Sequence, residues 1–342
     1  MNAAAPLQRA LLDYYRKHGR DLPWRRTSDP YAIWVSEVML QQTQVQTVAP
    51  RFGDFLRQFP TVAALAKADE RTVCEAWAGL GYYRRARHLH KAARVIVSTW
   101  GGAIPDREAA LRTLPGIGAY TAAAIASIAF GAKAAAVDGN LVRVLARVFA
   151  LPGRADDQAL VHAVRGEAQL LVDCPHPGDI NQALMDVGAT LCKPDEPECS
   201  ACPLRRSCQA FREGTPTDYP GKKIRAPRKD LTIAFAWIEK DGALLLEQRP
   251  LEGLWPGLWE LPSASGAKAT LELGQRLGQK LGRPLAKISH VLTHRQVTAR
   301  IFRASATARA GQRWWKDPLA APLSSLARKA ILAARELSPR RR

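Results

Sequence analysis

Leu114-Pro115-Gly116-Ile117-Gly118 is the stretch that decides how the first part of this chain folds. A short helical segment precedes Thr113 and an apolar helix starts near Ala119, so the stretch reads as a turn between two helices. Two glycines two residues apart let the backbone turn tightly. They expose consecutive amides at a helix N-terminus, where phosphate oxygens can bind. Such binding positions a partner without reading its sequence. Taken alone, a P-G-x-G between helices is also a common turn.

Outward from this turn the pattern stays helical. From Leu7 to about Ala210, apolar residues recur at three- and four-residue spacing, with breaks at Pro or Gly. Residues 31–48, 62–78, 84–100, 120–130 and 141–150 read as helices, and an all-helical domain of about ten helices is expected over 1–215. A basic, Pro-rich run without helical periodicity follows at 216–229 and reads as an extended linker. Beyond it, residues 231–238 and 243–248 read as two strands around Asp241-Gly242, residues 271–281 as a helix and 296–302 as another strand. The expected architecture is multidomain, α followed by a small α/β domain over 230–342. A length of 342 residues agrees with two domains.

Composition narrows the class. At 47% hydrophobic and 24% charged, the chain is expected to fold and is not intrinsically disordered. No run approaches the roughly 18–20 apolar residues of a membrane helix, and residues 1–12 lack the order of a signal peptide. A cytoplasmic protein with no membrane association is expected, acting as a monomer.

The net charge of +19 makes a polyanion the leading partner, because clustered Lys and Arg release counterions from phosphates. The charge is uneven. Residues 1–215 carry 26 Lys and Arg against 21 Asp and Glu, whereas residues 216–342 carry 24 against 10.

Four of the six cysteines fall in a C-x6-C-x2-C-x5-C run at Cys192, Cys199, Cys202 and Cys208. Four thiolates so close in sequence can converge on one centre, either an all-cysteine zinc site or an iron–sulfur cluster. Cys74 and Cys174 lie outside the run and read as small core residues.

Two carboxylates stand out. Glu37 sits in Ile33-Trp34-Val35-Ser36-Glu37-Val38-Met39-Leu40, sharing a helix face with Ile33 and Leu40. Desolvation there should raise its pKa and favour a protonated general acid. Asp138 in Ala136-Val137-Asp138-Gly139-Asn140 precedes a helix and reads as its N-cap. Backbone amides at such a cap should stabilise the ionised form and hold the pKa low. Two carboxyls shifted in opposite directions would make the acid and anion pair of glycosyl transfer.

The cysteine spacing resembles the [4Fe-4S] signature of the endonuclease III superfamily of helix-hairpin-helix DNA repair glycosylases, and it follows a hairpin like theirs. Within that superfamily, Trp34-Val35-Ser36-Glu37-Val38-Met39-Leu40-Gln41-Gln42-Thr43 and Val137-Asp138-Gly139-Asn140 resemble the adenine DNA glycosylase (MutY) branch. The resemblance runs from about Asp21 to Arg303. It implies base excision in double-stranded DNA, removing adenine mispaired with 8-oxoguanine or guanine, with a [4Fe-4S] cluster as cofactor on Cys192, Cys199, Cys202 and Cys208. Glu37 would protonate adenine N7, Asp138 would stabilise the oxocarbenium-like sugar, and Asn140 would orient Glu37. Leu114, Gly116 and Gly118 would hold DNA phosphates.

In the family, residues matching Gln42 and Tyr82 enter the duplex at the lesion, and Gln41 and Thr43 flank the first of them. Stacking on a base is worth roughly 1–3 kcal/mol, which offsets part of the unstacking cost. Trp24, Arg25, Leu40 and Gln182 would line the adenine pocket. Where bifunctional relatives carry a Schiff-base lysine, this chain has Tyr120, which cannot form an imine. A monofunctional enzyme follows, with Tyr120 bonding near Asp138. One departure is the Cys192–Cys199 loop, which is net acidic where relatives are commonly basic; Arg205 and Arg206 could supply that contact instead.

Gly253-Leu254-Trp255-Pro256-Gly257-Leu258-Trp259-Glu260-Leu261-Pro262 resembles the entry to a Nudix fold, yet residues 266–282 hold one acid, Glu272. That leaves no carboxylate cluster for Mg²⁺, so the domain reads as a binding module. In the resembling family this domain recognises 8-oxoguanine. His290-Val291-Leu292-Thr293-His294 stands where relatives commonly have Phe-Ser-His, giving Thr293 and His294 the recognition role by position. The competing readings are an endonuclease III-like pyrimidine glycosylase and lyase, and a cluster-containing DNA-binding protein without chemistry. The presence of both Glu37 and Asp138 argues against the second.

Overall fold

The computed structural model describes residues 4–223, 227–250, 253–292 and 294–337. It divides into two compact units, a helical one over Met1–Leu80 and Arg85–Ile224 and a sheet-bearing one formed by Gly81–Arg84 and Arg225–Arg342.

Twelve α-helices occur before the sheet among the described residues: α1 (Ala5–His18), α2 (Pro30–Leu40), α3 (Val45–Gln58), α4 (Val62–Lys67), α5 (Glu70–Ala76), α6 (Arg84–Trp100), α7 (Glu108–Leu111), α8 (Ala119–Phe130), α9 (Gly139–Val148), α10 (Gln158–Val172), α11 (Pro177–Asp186) and α12 (Gln209–Arg212). Helix α2 starts where Asp29 accepts hydrogen bonds from the amides of Tyr31 (3.1 Å) and Ala32 (3.3 Å), with Pro30 as its first residue. Every residue from Tyr31 to Met39 is buried, as expected of a helix apolar on all sides.

The helix expected over 31–48 is two helices. The chain breaks at Gln41–Gln44, where Gln42 takes a left-handed φ of 56°. Apolar periodicity resumes at Val45, so the pattern alone does not reveal the break. Residues 62–78 likewise divide into α4 and α5, and Asp69 caps the second through the amide of Thr72 at 2.9 Å.

Helix α8 is buried from Thr121 to Ser127 and ends at Gly131, whose φ of 66° terminates it. One core of the helical unit gathers Leu7 and Leu11 of α1, Leu145 of α9, Leu160 of α10 and Ile180 of α11. The start of the expected linker belongs to this unit: Tyr219 packs against that core, and the Gly221 amide donates to the Gly153 carbonyl at 2.9 Å.

The second unit is mixed α/β. Strands β1 (Lys229–Trp237), β5 (Ser263–Ser265), β6 (Ala286–Val291) and β7 (Arg295–Arg303) form one sheet in the order β5-β1-β7-β6, and β1 runs parallel to β7. Strands β2 (Glu239–Lys240), β3 (Ala243–Gln248), β4 (Trp259–Glu260) and β8 (Gln312–Trp315) form the other. The hairpin expected between 231–238 and 243–248 is instead β2–β3, because β1 stays in the first sheet and the chain changes sheets after Trp237. The cause is visible in the burial. Phe235 and Trp237 face one core with α14 (Ser325–Leu337), while Ala234 and Ala236 face another with α13 (Ala269–Leu277). A strand covered on both faces reads as an unbroken apolar run, without the alternation of a hairpin arm.

Candidate active site

The helical unit holds a cavity of about 710 Å³ whose wall includes Glu37, Tyr120, Asp138, Asn140, Trp24 and Arg25. Helix α2 supplies Glu37, which is 5% exposed. Burial lifts its pKa to about 7; the Tyr120 hydroxyl pulls it down, the Asp138 charge raises it and Arg25 lowers it. Its Oε2 is buried without a hydrogen-bond partner among the described residues. A protonated carboxyl with one uncommitted oxygen facing a cavity is suited to give a proton to whatever enters.

Asp138 caps α9, accepting from the Leu141 amide at 2.8 Å and from Asn140 Nδ2 at 2.9 Å. The expectation of a depressed pKa does not hold. Burial raises the Asp138 pKa more than the bonds from Leu141 and Asn140 lower it. Both carboxyls are therefore shifted upward, and a difference in hydrogen bonding separates them: Asp138 is held by two donors, whereas Glu37 Oε2 has none.

Asn140 is bonded to Asp138 and not to Glu37, contrary to the expectation from the resemblance. Its Oδ1 accepts from Arg143 Nη2 at 2.9 Å, and Arg143 in turn donates to the carbonyls of Cys192 (2.7 Å) and Gly188 (2.8 Å). Tyr120 stands against Glu37 and donates to Met185 Sδ at 3.8 Å, with Asp138 near enough to raise its pKa further. Burial is the main reason the phenol stays protonated.

Trp24, Arg25, Leu40 and Gln182 all line the cavity. Trp24 packs edge-on against Phe52, with ring centres 5.6 Å apart. Arg25 is committed to Asp186 by two bonds of 2.6 and 2.9 Å. Gln41 lies between α2 and the hairpin, donating to Thr121 Oγ1 (3.2 Å) and the Gly116 carbonyl (3.4 Å). Thr43 bonds the Leu80 carbonyl at 3.2 Å. Gln42 and Tyr82 are both exposed and left-handed, with φ of 56° and 48°. Non-glycine residues rarely adopt that conformation, and it concentrates at functional sites.

In the hairpin, Leu114 is buried and Gly116 has a φ of 80°. A Cβ on Gly116 would lie 2.7 Å from the His88 Cβ, so both backbone and packing demand glycine. Gly118 caps α8, and a Cβ there would meet nothing within 4 Å. Gly118 is itself exposed.

The four clustered cysteines line one small cavity, and Arg147 stands beside them. Burial lifts the Cys202 thiol to about 12, with Cys192, Cys208 and Cys199 adding to the rise. Arg147, 3% exposed, donates to Cys192 Sγ (3.4 Å), the carbonyls of Lys193 and Pro194 (both 2.6 Å) and that of Tyr219 (2.8 Å). Among the described residues no three Cys, His, Asp or Glu could hold a single metal ion. Arg205 and Arg206 are exposed on a short turn between Cys202 and Cys208. In the sheet unit, His294 is exposed and its carbonyl accepts from the Lys229 amide at 3.0 Å; Thr293 lies outside the described residues.

Sequence reasoning missed the buried cations and their partners. Arg85 donates to the last carbonyls of α2, Val38 (2.9 Å) and Met39 (2.6 Å), and to Thr43 Oγ1 (2.8 Å), tying down the loop that carries Gln42. Asp186 and Arg143 were equally silent. Their partners lie far away in sequence, and a charged residue on a helix gives no local sign of being buried.

Residues 35–166 match the HhH-GPD superfamily base excision DNA repair protein family, and residues 233–333 match the NUDIX domain. The adenine DNA glycosylase of Homo sapiens is 37% identical over 358 residues, covering 86% of this chain and 66% of the human protein. That of Mus musculus is 35% identical over 390 residues, covering 93% of this chain and 76% of the mouse protein. A solved thermostable thymine-DNA glycosylase aligns with a TM-score of 0.56 at 30% identity, covering 61% of this chain and 97% of that one. The last match is no larger than the helical unit, whereas coverage of 93% takes in both units. Likeness of that extent goes beyond a shared fold: the chain belongs to the adenine DNA glycosylase family of DNA N-glycosylases, with a helix-hairpin-helix domain followed by a Nudix-like α/β domain.

Proposed function

We propose that this chain excises adenine from mispairs with 8-oxoguanine or guanine in duplex DNA, by hydrolysis of the N-glycosidic bond and without cutting the strand. The observation that carries the reading is Glu37, a buried acid with a pKa near 7 and an uncommitted oxygen, in one cavity with a hydrogen-bonded Asp138. An extruded adenine enters the cavity and Glu37 gives its proton to N7, making the base a neutral leaving group. The C1′–N9 bond breaks, the sugar acquires oxocarbenium character, and the Asp138 carboxylate stabilises that positive charge until water adds. Tyr120 cannot form an imine with C1′, so β-elimination has no nucleophile at that position.

Gln42 and Tyr82 occupy the duplex where the base leaves, and the hairpin at Leu114, Gly116 and Gly118 holds the backbone. His294, together with Thr293, reads the opposite base. The domain division follows as the helical unit ending at Ile224 for chemistry and the sheet-bearing unit from Arg225 onward for recognition.

The cysteines are read as the ligands of a [4Fe-4S] cluster. The four thiols line one small cavity, and their C-x6-C-x2-C-x5-C spacing resembles the cluster signature of the superfamily. Cys192, Cys199, Cys202 and Cys208 would hold the cluster, whose chemistry when bound is iron–thiolate ligation that fixes this loop.

The test is incubation with duplexes containing 8-oxoguanine·A, G·A or an oxidised pyrimidine, with and without alkali. Adenine release with strand breaks only after alkali is the expected result. Breakage at a pyrimidine lesion without alkali, or tight binding with no base release, would overturn the reading.

A further inference from the structure

Asp186 is the last residue of α11 and is 1% exposed, yet it touches no residue assigned to the chemistry. It serves two arginines instead. Its Oδ2 accepts from Arg25 Nη1 (2.6 Å) and the Arg20 amide (3.0 Å), and its Oδ1 accepts from Arg20 Nε (2.6 Å) and Arg25 Nη2 (2.9 Å). Arg25 is fastened further by its bond to the Arg20 carbonyl at 3.2 Å and lies over the Tyr15 ring. Both arginines line the cavity that holds Glu37. A single carboxylate thereby fixes two of the cations that line the cavity, in the bidentate geometry that suits a guanidinium.

We propose that Asp186 is a positioning residue for adenine excision: it locks Arg25 and Arg20 onto the cavity wall and offsets the positive charge that Arg25 turns toward Glu37. The proposal rests on the reading of Glu37 as the general acid. The charged and titratable groups facing Glu37 are Tyr120 from α8, Asp138 from α9 and Arg25 from the turn before α2. Arg20, Arg143 and Lys193 stand farther round the same wall. Of these, Arg25 is the cation that works against the protonated acid. An Arg25 without its counter-charge would do so more strongly. Burial favours a neutral Asp186, but the bonds and charges of Arg25 and Arg20 prevail and keep it ionised, so the offset is present at neutral pH.

The test measures single-turnover adenine release from an 8-oxoguanine·A duplex as a function of pH, on the full chain carrying its cofactor. The rate of the parent protein should fall as pH rises through the pKa of the acid. In Asp186→Asn the fall should move down by about one pH unit, lowering the rate on its alkaline side about tenfold, with duplex affinity changed less than about threefold. Combining Asp186→Asn with Arg25→Gln removes both charges and should return the fall toward its original position. A lower melting temperature with an unmoved pH profile would make Asp186 merely structural and overturn the proposal. Should Asp186→Asn not fold, Arg25→Gln alone decides, because loss of its charge must move the fall upward; an unmoved profile refutes the idea. Absence of adenine release by the parent protein would instead overturn the activity itself, which keeps the two failures distinct.

Discussion

The carboxyl groups of Glu37 and Asp138 line one cavity, and the charge of Asp138 pushes the Glu37 pKa up, adding to the larger effect of burial. Neither group lies in a solvated environment that would restore its ordinary value. The site therefore stores one proton on Glu37 near neutral pH, beside an anion held by Asn140 and a backbone amide.

The stored proton has a stability signature. Glu37 has a folded-state pKa of about 7 against an ordinary 4.5, so the native state binds the extra proton between those values. Its contribution is intact below the lower value and is lost as pH rises through the upper one, a loss on the order of 3 kcal/mol. Glu37→Gln should abolish excision while keeping duplex binding. It should also be more stable than the parent at alkaline pH, with the difference vanishing in acid. Melting temperature against pH checks the sign; a constant difference would mean that the carboxyl does not titrate in the folded protein.

Asp138 has two duties that separate by substitution. Asn retains an N-cap acceptor for Leu141, whereas Ala removes it and should cost about 1 kcal/mol in urea unfolding. Both variants should lose at least about a hundredfold in single-turnover excision, since both remove the anion. Equal stability of the two would refute the capping duty, and near-parent activity of Asp138→Asn would refute the electrostatic one.

Gly116→Ala places a Cβ against His88 in a backbone conformation that disfavours it, costing roughly 1–3 kcal/mol of local strain. Given the phosphate-holding role proposed for the hairpin, duplex affinity should fall for matched and mispaired DNA alike. A loss confined to the mispair would contradict that division.

Purified protein should carry about four iron atoms per chain and a brown absorbance. Cys202→Ala should lose both and lower the melting temperature. Arg147→Gln should also destabilise, because it leaves the carbonyls of Lys193, Pro194 and Tyr219 without their donor. Stoichiometric zinc without iron would refute the cluster.

Removing residues 225–342, which carry 22 of the 50 basic residues, should flatten the salt dependence of binding and weaken the preference for 8-oxoguanine more than it slows bond cleavage. Affinity over a salt series and rates on the two mispairs supply the measurement. An unchanged slope together with an unchanged preference would show that recognition lies in the helical domain.

The sequence by itself determined the helix-rich first domain, the hairpin glycines, the cysteine run, the cap at Asp138, and Glu37 as an acid among apolar neighbours. Each is a local signal, written in spacing or in a residue type that one backbone conformation requires. Tertiary structure alone decided the break at Gln42, the change of sheets after Trp237, the upward shift of Asp138, and the tether from Asp186 to Arg25. Those depend on what lies across a cavity or sheet, up to 161 positions away in the chain. Desolvation and charge act through space, so a cap that would hold an aspartate low in water gives way to burial once the protein closes around it.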